Sequence, residues 1–310
     1  RGPINVGGRT RAFGVDIANE NRLLAGTTSG GMWLSTNGGN TWVMTNTNSQ
    51  LKNATCLTQD QRIGHRNVWY YGSGEAYGAS ASGGANAASG YTSSYYLGDG
   101  LYKSVDSGAT WTPIAATAIG SPYQFTTAWQ FVWNIANDNS APDTISKVYA
   151  AIYGGVYKSI NGGTSWSAAV GSGSYFTDVQ VTSTGTVYVT LSDDGTTQRG
   201  VYRSPDGTTF TNILPSAGFP LKYNRIKIGI NPNNENEVYY LANTPGYGKL
   251  TFDFLGDSLW NSLWKYTYIS GDGSGSGGTW QDLSANLPNS GTVFDVWNET
   301  EEHTSELQSH

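Results

Sequence analysis

Short runs of alternating apolar and polar residues recur along this chain, and glycine, asparagine, aspartate or serine residues bound each run. Such runs predict β-strands that bury one face and are joined by tight turns. One strand type recurs with an apolar residue, an aromatic residue, a variable residue and serine at its end. These strand ends lie at residues 32–35, 101–104, 156–159 and 201–204, and residues 263–266 match without the serine.

A second pattern follows each strand end: serine, x, aspartate or asparagine, x, glycine, x, threonine or serine, and tryptophan. We interpret it as a hairpin turn in which the aspartate or asparagine accepts hydrogen bonds from turn amides and the glycine takes a positive φ. The final aromatic residue is expected to fill the core. One copy is a residue shorter, and a degraded fifth copy ends at Trp280. The residues predicted to build these turns are Asn37, Trp42, Asp106, Trp111, Asn161, Trp166, Asp206, Phe210 and Trp280.

Two more strands precede each of these strand ends, so the repeat contains four strands. The second strands are predicted at residues 21–26, 68–72, 148–152, 187–191 and 238–242, and first strands at 11–16, 179–182 and 225–230. A repeated four-stranded unit is the blade of a β-propeller, which makes the predicted fold all-β. We count about five blades and the start of a sixth at residues 293–297.

The predicted domain is therefore an incomplete propeller over residues 1–299, truncated at its C-terminal end. Residues 300–310 resemble the translation of a DNA sequencing adapter, as would be found in a metagenomic fragment. The alternative is a disordered natural tail.

Three segments carry a resemblance to a known family. Residues 7–12 and 24–33 resemble the opening blade of bacterial BNR-repeat (Asp-box) exported proteins related to the sortilin N-terminal propeller, and residues 70–75 are similar to an element in their second blade. The resemblance implies an Asp-box β-propeller that is secreted or displayed at the cell surface. It leaves the activity open, because Asp boxes also occur in sialidases, xyloglucanases and sortilin-type receptors.

Composition and charge exclude several function classes. A net charge of −6 without a basic run argues against a nucleic-acid partner. Cys56 is the only cysteine, which excludes an intrachain disulfide, and we expect it to be a buried structural thiol. No Cys/His spacing predicts a metal site, and no cofactor is predicted. No apolar stretch approaches the ~20 residues of a membrane span, and the chain starts without a signal peptide.

Two long insertions after second strands, residues 76–98 and 243–262, are the candidate binding loops. In a meander of four strands these loops and the links between blades share one face, while the Asp boxes lie on the other. Aromatic residues in flexible loops suit stacking on sugars or gripping a protein chain; alternatively, they pack back on the blades. The predicted binding residues here are Tyr91, Tyr95, Tyr96, Tyr247 and Trp260, and the second insertion also contains Phe252 and Phe254.

Glu75, at the exit of a second strand, is the candidate acid or base of a catalytic site. A glycosidase needs a second carboxylate about 5–9.5 Å away, and the possible partners by position are Asp16, Asp60, Asp99 and Asp253. The alternative is that Glu75 caps turn amides. Arg9 and Arg11 could bind a carboxylate near the centre of the ring, or they could pair with neighbouring blades.

Three functions remain open at this point. The first is a noncatalytic recognition module that binds a polysaccharide or a protein through the inserted loops. The second is a glycoside hydrolase that uses Glu75 and an unidentified second carboxylate. The third is a structural spacer in a larger exported protein. The known enzymes fit poorly, because residues 8–11 are not the Arg-Ile-Pro element of sialidases and residues 27–31 lack the aspartate expected of xyloglucanases.

Overall fold

The computed structural model describes residues 10–75, 96–120, 124–195, 197–252 and 258–287. They divide into two compact units. The first contains residues up to 137 together with 161–165, and the second contains 138–160 and the residues from 166 onwards. Within the described ranges, no helix is long and apolar enough to cross a membrane.

The first unit contains two complete four-stranded antiparallel sheets. The strands of the first sheet, in the order β1-β2-β3-β4, are β1 (Thr10–Asp16), β2 (Asn19–Thr27), β3 (Gly31–Ser35) and β4 (Val43–Met44). Those of the second, in the order β5-β6-β7-β8, are β5 (Cys56–Gln59), β6 (Trp69–Gly72), β7 (Leu101–Ser104) and β8 (Thr112–Pro113). A 3-10 turn at Ala128–Gln130 precedes β9 (Val132–Asn137).

The second unit repeats the same antiparallel arrangement. It begins with β10 (Val148–Ile152), β11 (Gly154–Ser159) and β12 (Ser167–Ser174), which pair in sequence order. The next sheet has the order β13-β14-β15-β16, with β13 (Thr177–Val181), β14 (Val187–Leu191), β15 (Gly200–Ser204) and β16 (Thr211–Asn212). The last sheet consists of β17 (Ile226–Ile230), β18 (Glu237–Asn243), β19 (Lys249–Phe252), β20 (Ser258–Tyr268) and β21 (Gly278–Asp282). The prediction of an all-β fold built from four-stranded blades is confirmed.

The second insertion differs from the predicted loop. Residues 249–252 form β19, which pairs with an N-terminal extension of β20, so that Lys249 lies opposite Asn261 and Phe252 opposite Ser258. The physical reason is local: Gly246 and Gly248 take positive φ and turn the chain back, and the following residues alternate in polarity. The insertion therefore extends the sheet instead of forming a loop alone.

Aromatic side chains from successive strands build the core of each unit. In the first unit Tyr71 stacks on Tyr102 with ring centroids 4.6 Å apart, and Trp111 meets Tyr71 edge-on at 4.8 Å. Such pairs add about 0.5–1.5 kcal/mol to the contribution of burial alone. In the second unit Tyr240, Tyr266 and Trp264 form the corresponding cluster with the preceding sheet.

The turns between third and fourth strands share a set of hydrogen bonds. In three of them a side-chain oxygen accepts a hydrogen bond at 2.9 Å from the amide four residues later: Asn37 from Thr41, Asp106 from Thr110, and Asn161 from Ser165. In the shorter turn Asp206 accepts from Thr208 and Thr209 at 2.7 and 3.0 Å. These amide bonds lower the pKa of Asp206.

The final aromatic residues of these turns differ in burial. Trp111 is buried, whereas Trp42, Trp166, Phe210 and Trp280 are half-buried. In the last turn Trp280 follows a longer link, residues 269–277, in which Asp272 accepts from the amide of Ser274 at 2.9 Å. The predicted sixth-blade strand at 293–297 and the tail at 300–310 lie outside the described residues, and the domain boundary at 299 remains a prediction.

Candidate functional site

Glu75 lies in a tight crossing of backbone segments in the first unit. Its amide and carbonyl groups exchange hydrogen bonds with those of Tyr96 at 2.8 and 3.0 Å. Beside it, Gly74 has a φ of +88°, and a Cβ placed there would lie 1.7 Å from the carbonyl oxygen of Gln130. Only glycine fits at this crossing, which fixes where the Glu75 side chain begins.

The Glu75 carboxylate is fully buried and ion-paired. Its side chain is 0 % exposed, and Nη1 of Arg11, whose side chain is 2 % exposed, donates to Oε1 at 2.5 Å. A guanidinium at this distance stabilises the ionised carboxylate, whereas a general acid must carry a proton. The arrangement joins β1 of the first sheet to the end of the second sheet, so it acts as a clamp between blades.

Three of the possible partner carboxylates, Asp16, Asp60 and Asp99, lie within the described residues, and each is engaged by other protein groups. Asp16 is at the opposite end of β1 from Arg11, about 16 Å away at ~3.3 Å per residue. Asp60 forms an ion pair with Arg62, and its backbone amide donates a hydrogen bond to the carbonyl oxygen of Val68. These contacts lie at one end of the second sheet, and Gly72 lies at the other end. Asp99 accepts hydrogen bonds from the amides of Ile119 and Gly120 at 2.6 and 2.9 Å, as a turn cap does.

Of the predicted binding residues in the first unit, Arg11 and Tyr96 lie within the described ranges. Tyr96 is 41 % exposed, and Asn53 Nδ2 donates to the carbonyl oxygen of the next residue, Leu97, at 3.0 Å. Arg9, Tyr91 and Tyr95 lie outside the described residues, as do Asp253 and Phe254 of the second unit.

Tyr247, in the second unit, packs back on its own blade. Its ring stacks on Trp264 with centroids 5.9 Å apart, and its hydroxyl donates to Oδ2 of Asp282 at 2.7 Å. That hydrogen bond raises the pKa of Tyr247. Trp260 is half-buried within β20. The geometry around Tyr247 matches the alternative in which insertion aromatics cover the sheet.

An exposed aromatic pair that sequence reasoning missed lies in the second unit. Tyr153, in the turn between β10 and β11, stacks on Tyr175, in the link between β12 and β13, with ring centroids 5.3 Å apart and planes 18° apart. Tyr175 is 43 % exposed, and Tyr153 is half-buried. We call these two residues the tyrosine pair.

Polar groups from a third connection border the tyrosine pair. The amide of Tyr175 donates to Oδ1 of Asp194 at 3.1 Å, in the link between β14 and β15, and Ser192 also donates to Asp194. The Phe176 ring, next in the chain, lies 5.9 Å from the Arg225 guanidinium carbon. The sequence carries little signal for this pair, because both tyrosines lie in short links between strands and not in the long insertions.

The acidic residues near the tyrosine pair are engaged by protein groups. Lys222 Nζ lies 3.8 Å from Oδ2 of Asp193, and Lys222 is largely exposed. Across the part of the chain that the structure describes, there is no group of three or more His, Cys, Asp or Glu side chains that could hold a metal ion. The groups at the tyrosine pair provide aromatic surface for stacking and a carboxylate that accepts hydrogen bonds.

No family model and no curated protein matches this chain. Solved structures are similar to it over most of its length. An ancestral GH74 enzyme shares 17 % identity over 88 % of this chain and 33 % of its own, with a TM-score of 0.59. The GH74 xyloglucanase from Xanthomonas campestris shares 16 % identity over 89 % of this chain and 38 % of its own, with a TM-score of 0.54.

A third similar structure is YCF48 bound to the D1 peptide, at 15 % identity over 91 % of this chain and 69 % of its own, with a TM-score of 0.50. The chain thus spans about a third of the length of the two GH74 structures. At such low identity, structural likeness carries information about the fold and not about the activity. Together with the repeated four-stranded sheets, these likenesses show that the chain has a β-propeller fold.

Proposed function

We propose that this protein is a noncatalytic recognition module of the Asp-box propeller type, exported from the cell, that binds a glycan through the tyrosine pair. The observation that carries the proposal is the stacked pair Tyr153–Tyr175, in which Tyr175 is exposed and Tyr153 is half-buried. Each ring is held by a different connection, so the platform is set by the packing of neighbouring sheets and is organised before a ligand arrives.

The chemistry around the pair favours a sugar. A pyranose ring has an apolar face that stacks on an aromatic side chain and a rim of hydroxyls that need hydrogen-bond partners. Tyr153 and Tyr175 offer the stacking surface, and the carboxylate of Asp194, which accepts from the Tyr175 amide, supplies a polar group beside it. Two of the similar structures are GH74 enzymes, one of them a xyloglucanase, and xyloglucan is therefore the first ligand to test.

The hydrolase alternative is less well supported by the geometry. Glu75 is buried against Arg11, and Asp16 and Asp60 belong to the opposite strand ends. A retaining or inverting mechanism needs two carboxylates within about 5–9.5 Å that both reach the sugar. The finer family assignment also belongs to the proposal: the recurring hydrogen bonds of Asn37, Asp106 and Asn161 support Asp-box turns.

The test is binding to xyloglucan and other soluble polysaccharides by affinity electrophoresis and calorimetry. We expect Tyr153→Ala and Tyr175→Ala each to weaken binding about tenfold or more, because losing a stacked ring removes on the order of 1.5 kcal/mol. The matched control is Phe125→Ala, which removes a ring that is 50 % exposed and stacks on Phe131 at 5.4 Å. It should bind as the unaltered protein does.

Two results would contradict the proposal. If the protein releases reducing sugar and Glu75→Gln abolishes that release without unfolding the chain, the protein is a hydrolase. If no polysaccharide binds, and a purified peptide ligand binds in a way that Tyr175→Ala reduces, the module recognises protein instead of glycan.

A further inference from the structure

A cavity of about 340 Å³ lies in the first unit at the turn end of the second sheet. The β7–β8 hairpin forms one wall and the glycine turn at residues 162–164 forms another. The cavity is remote from the Glu75–Arg11 pair. Lys103, which lines the cavity, lies directly across the sheet from Tyr70. Tyr70 is five positions before Glu75, which corresponds to about 16 Å at ~3.3 Å per residue. None of the residues that line the cavity belongs to the tyrosine pair.

One cation faces the cavity. Nζ of the half-buried Lys103 lies 3.3 Å from the carbonyl oxygen of Gly162 and 5.3 Å from the centroid of the Tyr70 ring. The same carbonyl also accepts from the Tyr70 hydroxyl at 3.4 Å. Burial lowers the pKa of Lys103, while the negative charge of Asp60 opposes that change. An ammonium group in this position gains from a further anionic partner.

The next repeat supplies an internal comparison. Lys158 occupies the position equivalent to Lys103, also opposite a tyrosine, Tyr149. Its Nζ donates a short hydrogen bond of 2.7 Å to the carbonyl oxygen of Gly207. The hydrogen bond from Lys103 Nζ to the carbonyl oxygen of Gly162 is longer, at 3.3 Å, and therefore weaker. Lys103 therefore loses less hydrogen-bond energy than Lys158 would when its side chain turns toward a ligand.

The remaining lining is mostly apolar. Buried Ile114 and the neighbouring Val105, Pro113 and Ala116 line the cavity. A Cβ on Gly163 would lie 2.8 Å from Cδ1 of Ile114, and Gly163 has a φ of +96°, so a glycine is required where the turn meets this wall. One cation beside a partly open and mostly apolar surface suits a ligand with one negative charge and a compact apolar body.

We propose that this cavity binds a small organic carboxylate, with Lys103 pairing with the carboxylate and Val105, Pro113 and Ile114 contacting the apolar body. The carboxylate can belong to a free small acid or to the C-terminal residue of a peptide, since both present the same group. Inorganic phosphate lacks the apolar body and fits less well.

The experiment is a titration of the full chain by NMR with four probes: benzoate, benzyl alcohol, acetate and inorganic phosphate. We expect benzoate to bind at least about tenfold more tightly than each of the others. Lys103→Met should abolish benzoate binding, whereas Lys158→Met, which removes the matched lysine–glycine contact of the next repeat, should leave it unchanged.

A second variant guards against a folding defect in Lys103→Met. Val105 is 61 % exposed, so Val105→Trp should fold, cover the cavity and block benzoate while Lys103 stays in place.

A short peptide ending in phenylalanine, with a free or an amidated C-terminus, distinguishes the two sources of the carboxylate. Only the free form should compete with benzoate if the natural ligand is a peptide end. Equal benzoate binding to Lys103→Met and to the unaltered protein, or equal binding of benzyl alcohol, would overturn the proposal.

Discussion

The Glu75–Arg11 pair of the first unit and the tyrosine pair of the second unit contrast two ways of using polar and aromatic side chains. The side chains of Glu75 and Arg11 are charged and almost completely buried, and they form an ion pair. Tyr153 and Tyr175 are amphipathic rings that stack and remain partly exposed. A buried charge pair is costly to break and inaccessible to ligands, whereas a partly exposed pair of stacked rings contributes less to stability and presents a surface that a ligand can reach.

The largest expected change in the free energy of unfolding comes from disrupting the Glu75–Arg11 ion pair. Glu75→Ala leaves the Arg11 guanidinium buried without its carboxylate and should lower the free energy of unfolding by about 3–5 kcal/mol. The measurement is urea unfolding followed by tryptophan fluorescence. The control, Lys222→Ala, removes an exposed partner of Asp193 and should cost less than about 1 kcal/mol.

The double variant Arg11→Met/Glu75→Met sharpens the same point. If the single change is costly because it strands a charge, removing both charges together should cost less than Glu75→Ala alone. A double variant that loses as much as both single changes added together would show that the clamp acts through packing.

A smaller effect is expected from Asp16, a buried carboxylate held by hydrogen bonds. Burial raises its pKa, but hydrogen bonds from Ala18 and Gln59 and the Arg22 charge outweigh it, so the pKa is lowered from 3.8. A lowered folded-state pKa contributes stability above about pH 4 that is lost as the pH falls through the folded value. Asp16→Asn should therefore cost about 1–2 kcal/mol at pH 7 and flatten the loss of stability below pH 4.

The control for Asp16 is Glu20→Gln, which changes an exposed carboxylate on β2. It should leave the stability at pH 7 within about 0.5 kcal/mol of the unaltered protein. Unfolding curves at several pH values between 2 and 7 measure both variants. An unchanged acid dependence in Asp16→Asn would contradict the expectation.

Tyr247 is intermediate between the two regions, because it is a partly exposed tyrosine tied to Asp282. Tyr247→Phe should lower the free energy of unfolding by about 0.5–1.5 kcal/mol through the lost hydrogen bond and leave glycan binding intact. Asp282→Asn should lower the raised pKa of Tyr247, which ultraviolet titration of the phenol measures. A pKa that does not move would mean that the carboxylate is not its cause.

The smallest effect on stability is expected at the tyrosine pair itself. Tyr175→Ala should change the free energy of unfolding by about 1 kcal/mol or less, since the side chain is 43 % exposed. The same variant should show the loss of glycan binding described above. If Tyr175→Ala caused a large loss of stability and left glycan binding unchanged, the tyrosine pair would have a structural role and not a binding role.

Much of the fold was predictable because its signals are local. Alternating polarity sets the strands, and the turn residues act within a few positions of each other, as in the hydrogen bond from the Thr41 amide to Asn37. The second insertion was predicted as a loop because its strand signal is short: residues 249–252 become a strand by pairing with an extension of β20. Pairing between segments is not visible in the pattern of either segment alone.

The candidate sites depended on packing between repeats. Glu75 was recognisable as a carboxylate at a strand exit, but its pairing with Arg11 joins residues of two different sheets. Tyr153 and Tyr175 stand in short links that carry no special pattern, and the contact that makes them a platform forms through space. The same holds for Lys103 and Gly162 at the cavity.

The amino-acid sequence by itself determined the all-β class, the four-stranded repeat and the turn residues, because these follow from periodicity and from hydrogen bonds between near neighbours in the chain. Only the tertiary structure decided that Glu75 is buried, that two tyrosines from separate links form a partly exposed pair and that Lys103 faces a cavity. Burial and contact between distant residues depend on how whole sheets pack against each other. The sequence of one sheet does not show which residues of the neighbouring sheet will face it.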